Sequence, residues 1–418
     1  MKNLEKTQGY NIGLGGRGEE QLKRQHKVLI FAPHYHSFIK GSVNATAKHV
    51  SSITVLIRHN YLSELASYLP FSYFRHVEKY SRKRLVDLTG KPDNVHVNLV
   101  PMLYFIPDGR NKGLGDKLFK KFKEYIKKHD IEFDVIHAHF IWPHGYAAVK
   151  LGKVFEVPVV VTAHGYDVYD LPFRGGEWFE KVKYTLNAAD RIITVSNGNK
   201  GILIEKLNVP KDKISVIPNG FDEKLFYPMN QALARKKLGL PLDREILLNV
   251  ASLVPVKGHE YLIQAMKKVV RHRKDVLLVI VGDGPLKTKL QRMVNQLELN
   301  RYVMFAGARP HNEIPLWMNA ADLFVMSSIR EGCPVSLLEA LGSGLPVVAP
   351  KIGGIPEIVT DECGVLLHPA DPDKLGEAIM QAMSRTWRRT MISSCAQQYN
   401  FNNIAPRIMS IYSKIARG

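Results

Sequence analysis

Short, almost wholly apolar runs recur along this chain, each leading through a turn into a segment with helical spacing. Residues 26–33 (HKVLIFAP), 157–163 (VPVVVTA), 245–251 (EILLNVA), 276–281 (VLLVIV) and 345–349 (LPVVA) are five of them. Runs of this length and composition read as buried strands. Strand alternating with helix through both halves predicts an α/β protein with two doubly wound parallel sheets. A length of 418 residues fits two or three domains. Pro218-Asn219-Gly220 is a turn sequence closing the last strand of the first half. This places an N-terminal domain at 26–220, a C-terminal domain at 221–385 and terminal helices at 386–418. Residues 1–25 are polar and glycine-rich and read as a flexible extension.

Composition narrows the function classes. No run of about 18 apolar residues is present, so no membrane-spanning helix is expected. The first residues lack the apolar centre of a secretory signal. Three scattered cysteines, Cys333, Cys363 and Cys395, suit neither a disulfide framework nor a zinc site, and a reducing cytoplasm fits. Gly13-Leu-Gly15-Gly-Arg-Gly18 has dinucleotide-fingerprint spacing but no strand before it or helix after it. The formal charge of +19 points to an anionic partner surface. Two stretches match an interfacial membrane segment. Residues 61–91 interleave aromatic and basic side chains. Residues 117–128 (KLFKKFKEYIKK) form an amphipathic helix with Leu118, Phe122, Tyr125 and Ile126 inward.

The stretch 331–344 (EGCPVSLLEALGSG) lies between two apolar runs and reads as loop, short helix and exit. Pro334 suits the first helical position and Gly342 and Gly344 suit the end. Such a loop, at a strand's carboxyl end and a helix's N-terminus, is where parallel sheets bind phosphate. The amides near Val335 and Ser336 then take anionic charge, while Glu331 and Glu339 bond hydroxyl groups from two sides. Lys257-Gly258 follows another strand and supplies a cation at the same edge. His164-Gly165-Tyr166-Asp167 ends a strand of the first half, where a histidine can hydrogen-bond a ligand. His34, His36, His137, His139 and His144 read as polar loop or structural residues, not as metal ligands.

Five motifs stand in order: His164-Gly165, Pro218-Asn219-Gly220, Lys257-Gly258, Gly282-Asp283-Gly284-Pro285 and Glu331…Glu339. Together they resemble the retaining GT-B nucleotide-sugar glycosyltransferases, especially glycosyltransferase family 4 with its Glu-x7-Glu motif. The resemblance implies two Rossmann-like domains facing across a cleft, with the final helix crossing back to the first. It implies that Lys257 grips the donor diphosphate, Glu339 the ribose and Glu331 the donor sugar, and that His164 faces that sugar. It also implies nucleobase contacts from the backbone of residues 303–310, which include Arg309, and same-face displacement with the leaving phosphate as base. The chain departs from the pattern twice: the first loop keeps only Gly41 of a glycine pair near the donor phosphates, and Ser252 stands where an arginine is usual. No Asp-x-Asp triplet lies in a donor loop, so no metal and no cofactor are expected, with a UDP- or GDP-sugar as substrate. The implied acceptor is a glycan or lipid-linked molecule of envelope synthesis, met at the inner membrane face by a peripheral protein, with no nucleic-acid partner. The rival readings are a nucleotide-sugar epimerase of the same architecture and a non-enzymatic protein that binds anionic surfaces.

Overall fold

A computed structural model describes residues 26–60, 63–64, 81–103 and 110–415. The extension 1–25, and most of the aromatic–basic stretch 61–91, lie outside the described residues.

The first sheet contains β1 Lys27–Ala32, β2 Ser52–His59, β3 Val95–Pro101, β4 Val135–His139, β5 Val159–Ala163, β6 Arg191–Thr194 and β7 Ile214–Val216. Its spatial order is β3-β2-β1-β4-β5-β6-β7, all parallel. The second contains β8 Glu245–Val250, β9 Val276–Val281, β10 Val303–Gly307, β11 Leu323–Val325, β12 Val347–Pro350 and β13 Gly364–Leu367. Its order is β10-β9-β8-β11-β12-β13, again parallel. The expected pair of doubly wound sheets is therefore present. The apolar runs are unbroken because both faces of each strand are covered. In β1, Leu29 and Phe31 enter one core cluster while Val28, Ile30 and Ala32 enter another. In β8, Ile246 and Leu248 separate in the same way from Leu247.

Each strand order reverses beside its first strand, between β1 and β4 and between β8 and β11. There the following loops diverge and leave a crevice at the carboxyl edge, the usual ligand position in open α/β sheets.

The basic helix, Leu114–Lys128, buries Leu118, Phe122 and Ile126 at a spacing of four. The Phe122 ring meets Phe31 of β1 edge-on at 4.7 Å. The apolar stripe is thus spent on the domain's own core, worth about 1.5–3 kcal/mol per large side chain. Tyr125 is only partly buried, and Lys120, Lys121, Lys127 and Lys128 are exposed. What this helix offers a partner is charge.

The last helix, Phe401–Ile415, packs on the first, Ser37–Ala47. Ile404, Ile408, Ile411 and Tyr412 join a core cluster of the first sheet. The Tyr412 hydroxyl bonds Nδ1 of His137 at 2.5 Å, and Thr162 Oγ1 bonds its Nε2 at 2.7 Å. Gly41 lies inside the first helix, where a Cβ would sit 2.0 Å from the Phe401 ring. Its smallness thus serves this packing, a reason that the phosphate reading of Gly41 did not contain.

Candidate active site

Lys257 ends a one-turn helix, Pro255–Lys257, that follows β8. Gly258 next to it has φ +62°, and a Cβ there would meet the Ser327 carbonyl at 2.0 Å. This close approach lets the loops after β8 and β11 pair directly: Ile329 N–H donates to Val256 O at 2.8 Å and Ser327 Oγ to Lys257 O at 3.0 Å. The pairing brings Lys257 Nζ to 2.6 Å from Glu331 Oε1. Ser328 Oγ donates to the same oxygen at 2.7 Å. Glu331 is only 9% exposed and Lys257 26%. Partial burial makes the pair costly to desolvate and costly to break one-sidedly. An incoming phosphate can take over Lys257 and release Glu331 to accept hydroxyl groups.

The site helix is Val335–Gly342, with Pro334 as its extended N-cap, one position earlier than expected. Val335 and Ser336 occupy its first turn, where backbone N–H groups lack intrahelical partners. Glu339 lies deeper, 6% exposed, and its Oε1 accepts from His311 Nε2 at 2.6 Å. Burial works against a charged His311, yet the hydrogen bond and charge of Glu339 raise its pKa above the ordinary histidine value. The two glutamates therefore do not share a partner: Glu331 holds a lysine and Glu339 a histidine.

The remaining donor-side residues are more peripheral. Ser252 is exposed after β8. Arg309 is exposed after β10, where Nε donates to Ala306 O at 3.1 Å and the guanidinium lies 5.3 Å from the Trp317 ring centre.

His164 follows β5. Asp167, fully buried, accepts the N–H groups of His164 at 3.0 Å, Gly165 at 2.9 Å and Ile141 at 2.8 Å. It shapes the loop and does not touch the imidazole. His164 Nε2 lies 3.1 Å from His139 Nδ1. Nδ1 of His164 is buried, and among the described residues Asn219 is the side chain that reaches towards this ring without completing a bond to Nδ1. Burial, then the neighbouring His139, holds the His164 pKa well below the ordinary histidine value, so the ring is neutral near pH 7. A neutral imidazole offers one donor and one acceptor. Phe38 and Phe140 pack on its ring at centroid distances of 5.3 and 4.5 Å. His34 and His36 stack at 3.8 Å, and among the described residues no group of three or more His, Cys, Asp or Glu could hold a metal.

The two half-sites meet. A Cβ on Gly332 would stand 2.3 Å from the His164 carbonyl oxygen. Asn219 Nδ2 donates to Cys333 O at 2.7 Å, tying the interdomain turn to the Glu331 loop. Glu357 accepts the N–H groups of Asn197 at 2.8 Å and Gly198 at 3.3 Å. Burial pushes the Cys333 thiol up to about 12, which leaves it a packing residue. Of the sequence-derived residues, Lys257 and Glu331 thus pair directly, and Gly332 beside Glu331 packs on the His164 backbone, with Val335 and Ser336 at the start of the site helix. Sequence reasoning missed Ser328, Asn219 as a bridge and His311. Collecting the polar residues of the whole loop that follows each strand at the carboxyl edge would have included His311, four positions after β10.

Two doubly wound domains closing over a cleft between their carboxyl edges define the GT-B glycosyltransferase architecture. Comparison with known proteins then gives the family. Residues 230–399 match the family "Glycosyl transferases group 1" and residues 100–225 match "Glycosyltransferase Family 4". The chain is 30% identical over 310 residues to the Escherichia coli UDP-Gal:alpha-D-GlcNAc-diphosphoundecaprenol alpha-1,3-galactosyltransferase, covering 70% of this chain and 79% of that protein. It is 31% identical over 261 residues to the putative teichuronic acid biosynthesis glycosyltransferase TuaC of Bacillus subtilis, covering 61% of this chain and 62% of that one. Sucrose-phosphate synthase from Thermosynechococcus elongatus has the same fold, with a TM-score of 0.75 at 22% identity over 93% of this chain and 99% of its own. The chain belongs to the group 1, family 4 glycosyltransferases.

Proposed function

We propose that the protein transfers a sugar, with retention and without a metal, from a UDP- or GDP-sugar to a glycan or lipid-linked acceptor of envelope synthesis. The observation that carries this is the meeting of Lys257 and Glu331 at the second sheet's switch point, directly against the His164 loop.

Lys257 and the first amides of the site helix take the diphosphate, whose charge grows as the anomeric C–O bond breaks. Preorganised donors at developing charge usually supply the largest catalytic term. Glu331, released from Lys257, accepts donor-sugar hydroxyls. His164 bonds the sugar from the opposite domain through Nδ1. The acceptor oxygen attacks the face the leaving group departs from, and its proton passes to the departing phosphate. Arg309 and Ser252 lie outside this centre and contribute only at the nucleotide rim.

The E. coli relative's name carries a UDP-sugar donor and a lipid diphosphate acceptor. Both suit a chain of charge +19 whose Leu114–Lys128 helix shows lysines outward. Among the described residues no helix is long and apolar enough to cross a membrane, so bilayer contact is peripheral in this reading.

The test is a transfer assay with UDP- and GDP-sugars and a polyprenyl diphosphate-linked sugar, with and without chelator, reading the product anomer by NMR. One donor turning over in chelator with retention is the expected result. An inverted product, loss of activity in chelator, or acceptor-independent epimerisation of the donor each contradicts it.

A further inference from the structure

His311 stands on a short turn, His311–Glu313, that follows β10. Its ring is fixed on two sides. Phe226, 1% exposed, packs against it at a centroid distance of 5.4 Å. Nε2 is tied to Glu339 Oε1 at 2.6 Å. Among the described residues no donor reaches the other carboxylate oxygen, Oε2. A carboxylate this buried is costly unless hydrogen-bonded, and a single bond to one oxygen also fixes its rotamer.

We propose that His311 is a positioning residue for the donor nucleotide: it holds Glu339 through Oε1 so that Oε2 accepts the ribose diol, and the pair reads ribose against deoxyribose. This rests on the nucleotide-sugar reading of the site. A site built to bond a hydroxyl rejects the analogue that lacks it, because its buried acceptor is then left unpaired. A loose Glu339 rotamer would lose that rejection.

Protonation bears on the same pair. The titratable groups facing His311 are Glu339 on the site helix, Asp222 on the segment after the interdomain turn, Lys40 on the opposing first helix and His36 at that helix's N-cap. Glu339 and Asp222 favour the imidazolium, Lys40 opposes it, and the balance stands above the ordinary histidine value. The charge-assisted bond is therefore present below the His311 pKa and weakens as pH rises through it.

The experiment is calorimetric titration of the full protein with uridine, guanosine and adenosine diphosphates and their 2′-deoxy counterparts, for wild type, His311→Ala and His311→Gln. The ribo-to-deoxy affinity ratio is the readout. Both ligands carry the same phosphates, so phosphate titration and distant charges cancel in it. Wild type should favour the ribonucleotide about 10-fold, a typical worth of one hydrogen bond to a charged group. His311→Ala should bring the ratio to about 2-fold while leaving the deoxynucleotide affinity within about 3-fold of wild type. His311→Gln, which donates but does not titrate, should keep most of the ratio and lose its pH dependence between pH 6 and 8. Wild type, whose neutral imidazole still donates from Nε2, should lose no more than about 2-fold of its ratio as His311 deprotonates. An unchanged ratio in both variants, or tighter ribonucleotide binding by His311→Ala, overturns the proposal; the latter would make His311 a competitor for Glu339. If wild type binds no nucleoside diphosphate at all, the nucleotide-sugar reading itself has failed, and the two failures are distinguishable.

Discussion

Gly332→Ala isolates the contact between the two domains. Gly332 does not adopt a positive φ, so alanine is not strained by its backbone. The obstacle is space: the new methyl would lie 2.3 Å from the His164 carbonyl oxygen and 3.0 Å from Val195 Cγ2, where ordinary contact begins at 3.4 Å. The His164 loop must then retreat by about 1 Å (3.4 − 2.3). Overpacking of this kind costs about 1–3 kcal/mol. A displacement of about 1 Å between reacting groups costs about 100-fold in rate, equivalent to about 2.7 kcal/mol. We therefore expect kcat/KM for donor turnover to fall about 10- to 100-fold. Nucleoside diphosphate binding involves only the second domain in this account, so its affinity should stay within about 3-fold. The assays are nucleoside diphosphate release and calorimetry on the same preparation. Activity within about 2-fold of wild type would show that these loops do not meet during turnover. An equal loss of nucleotide affinity would show instead that the methyl distorts the Glu331 loop.

Three further outcomes follow from the geometry. Lys257→Met should weaken nucleoside diphosphate binding by about 10- to 100-fold, the worth of a charge-assisted contact, while the bare nucleoside is unaffected; calorimetry with both ligands decides it, and equal losses would remove Lys257 from the diphosphate. Replacing the exposed Lys120, Lys127 and Lys128 by glutamine should cost about 1 kcal/mol each in binding to anionic vesicles; sedimentation with phosphatidylglycerol vesicles that is unchanged in the variant and insensitive to salt would exclude this face. Burial holds the pKa of His36, His139 and His259 down to about 4 from an ordinary 6.5. The unfolded chain binds these protons first as pH falls, so their contribution to stability, full above 6.5, is lost progressively towards 4. Thermal melts should show Tm dropping between pH 7 and pH 5, and a flat Tm over that range would contradict the burial of neutral imidazoles.

Both sheets were legible in the sequence because each central strand is covered on two faces. An unbroken run such as Val276–Val281, buried throughout, leaves no solvent-facing alternation to confuse the period. Lys257 and Glu331 were legible through the motifs that carry them, Lys257-Gly258 and Glu331…Glu339, in the loops after β8 and β11. What escaped depends on partners distant in the chain. Gly41 is small because Phe401 sits on it, and nothing near residue 41 announces that. The amphipathic pattern of residues 117–128 was read correctly as a helix, but an apolar stripe looks the same whether it faces a bilayer or the domain's own Phe31. The spacing of Glu331 and Glu339 did not announce their partners: Lys257 holds the first, and His311, from the loop after β10, holds the second.

The central claim is that the seam between the domains is a nucleotide-sugar site built on Glu331. It is tested most directly by nucleoside diphosphate release from a panel of UDP-, GDP- and ADP-sugars, comparing wild type with Glu331→Ala. The account predicts turnover of one donor class by wild type, a loss of about 100- to 1,000-fold in the variant, and retained nucleoside diphosphate binding. Turnover by Glu331→Ala equal to wild type, or no turnover of any donor by wild type, would contradict it.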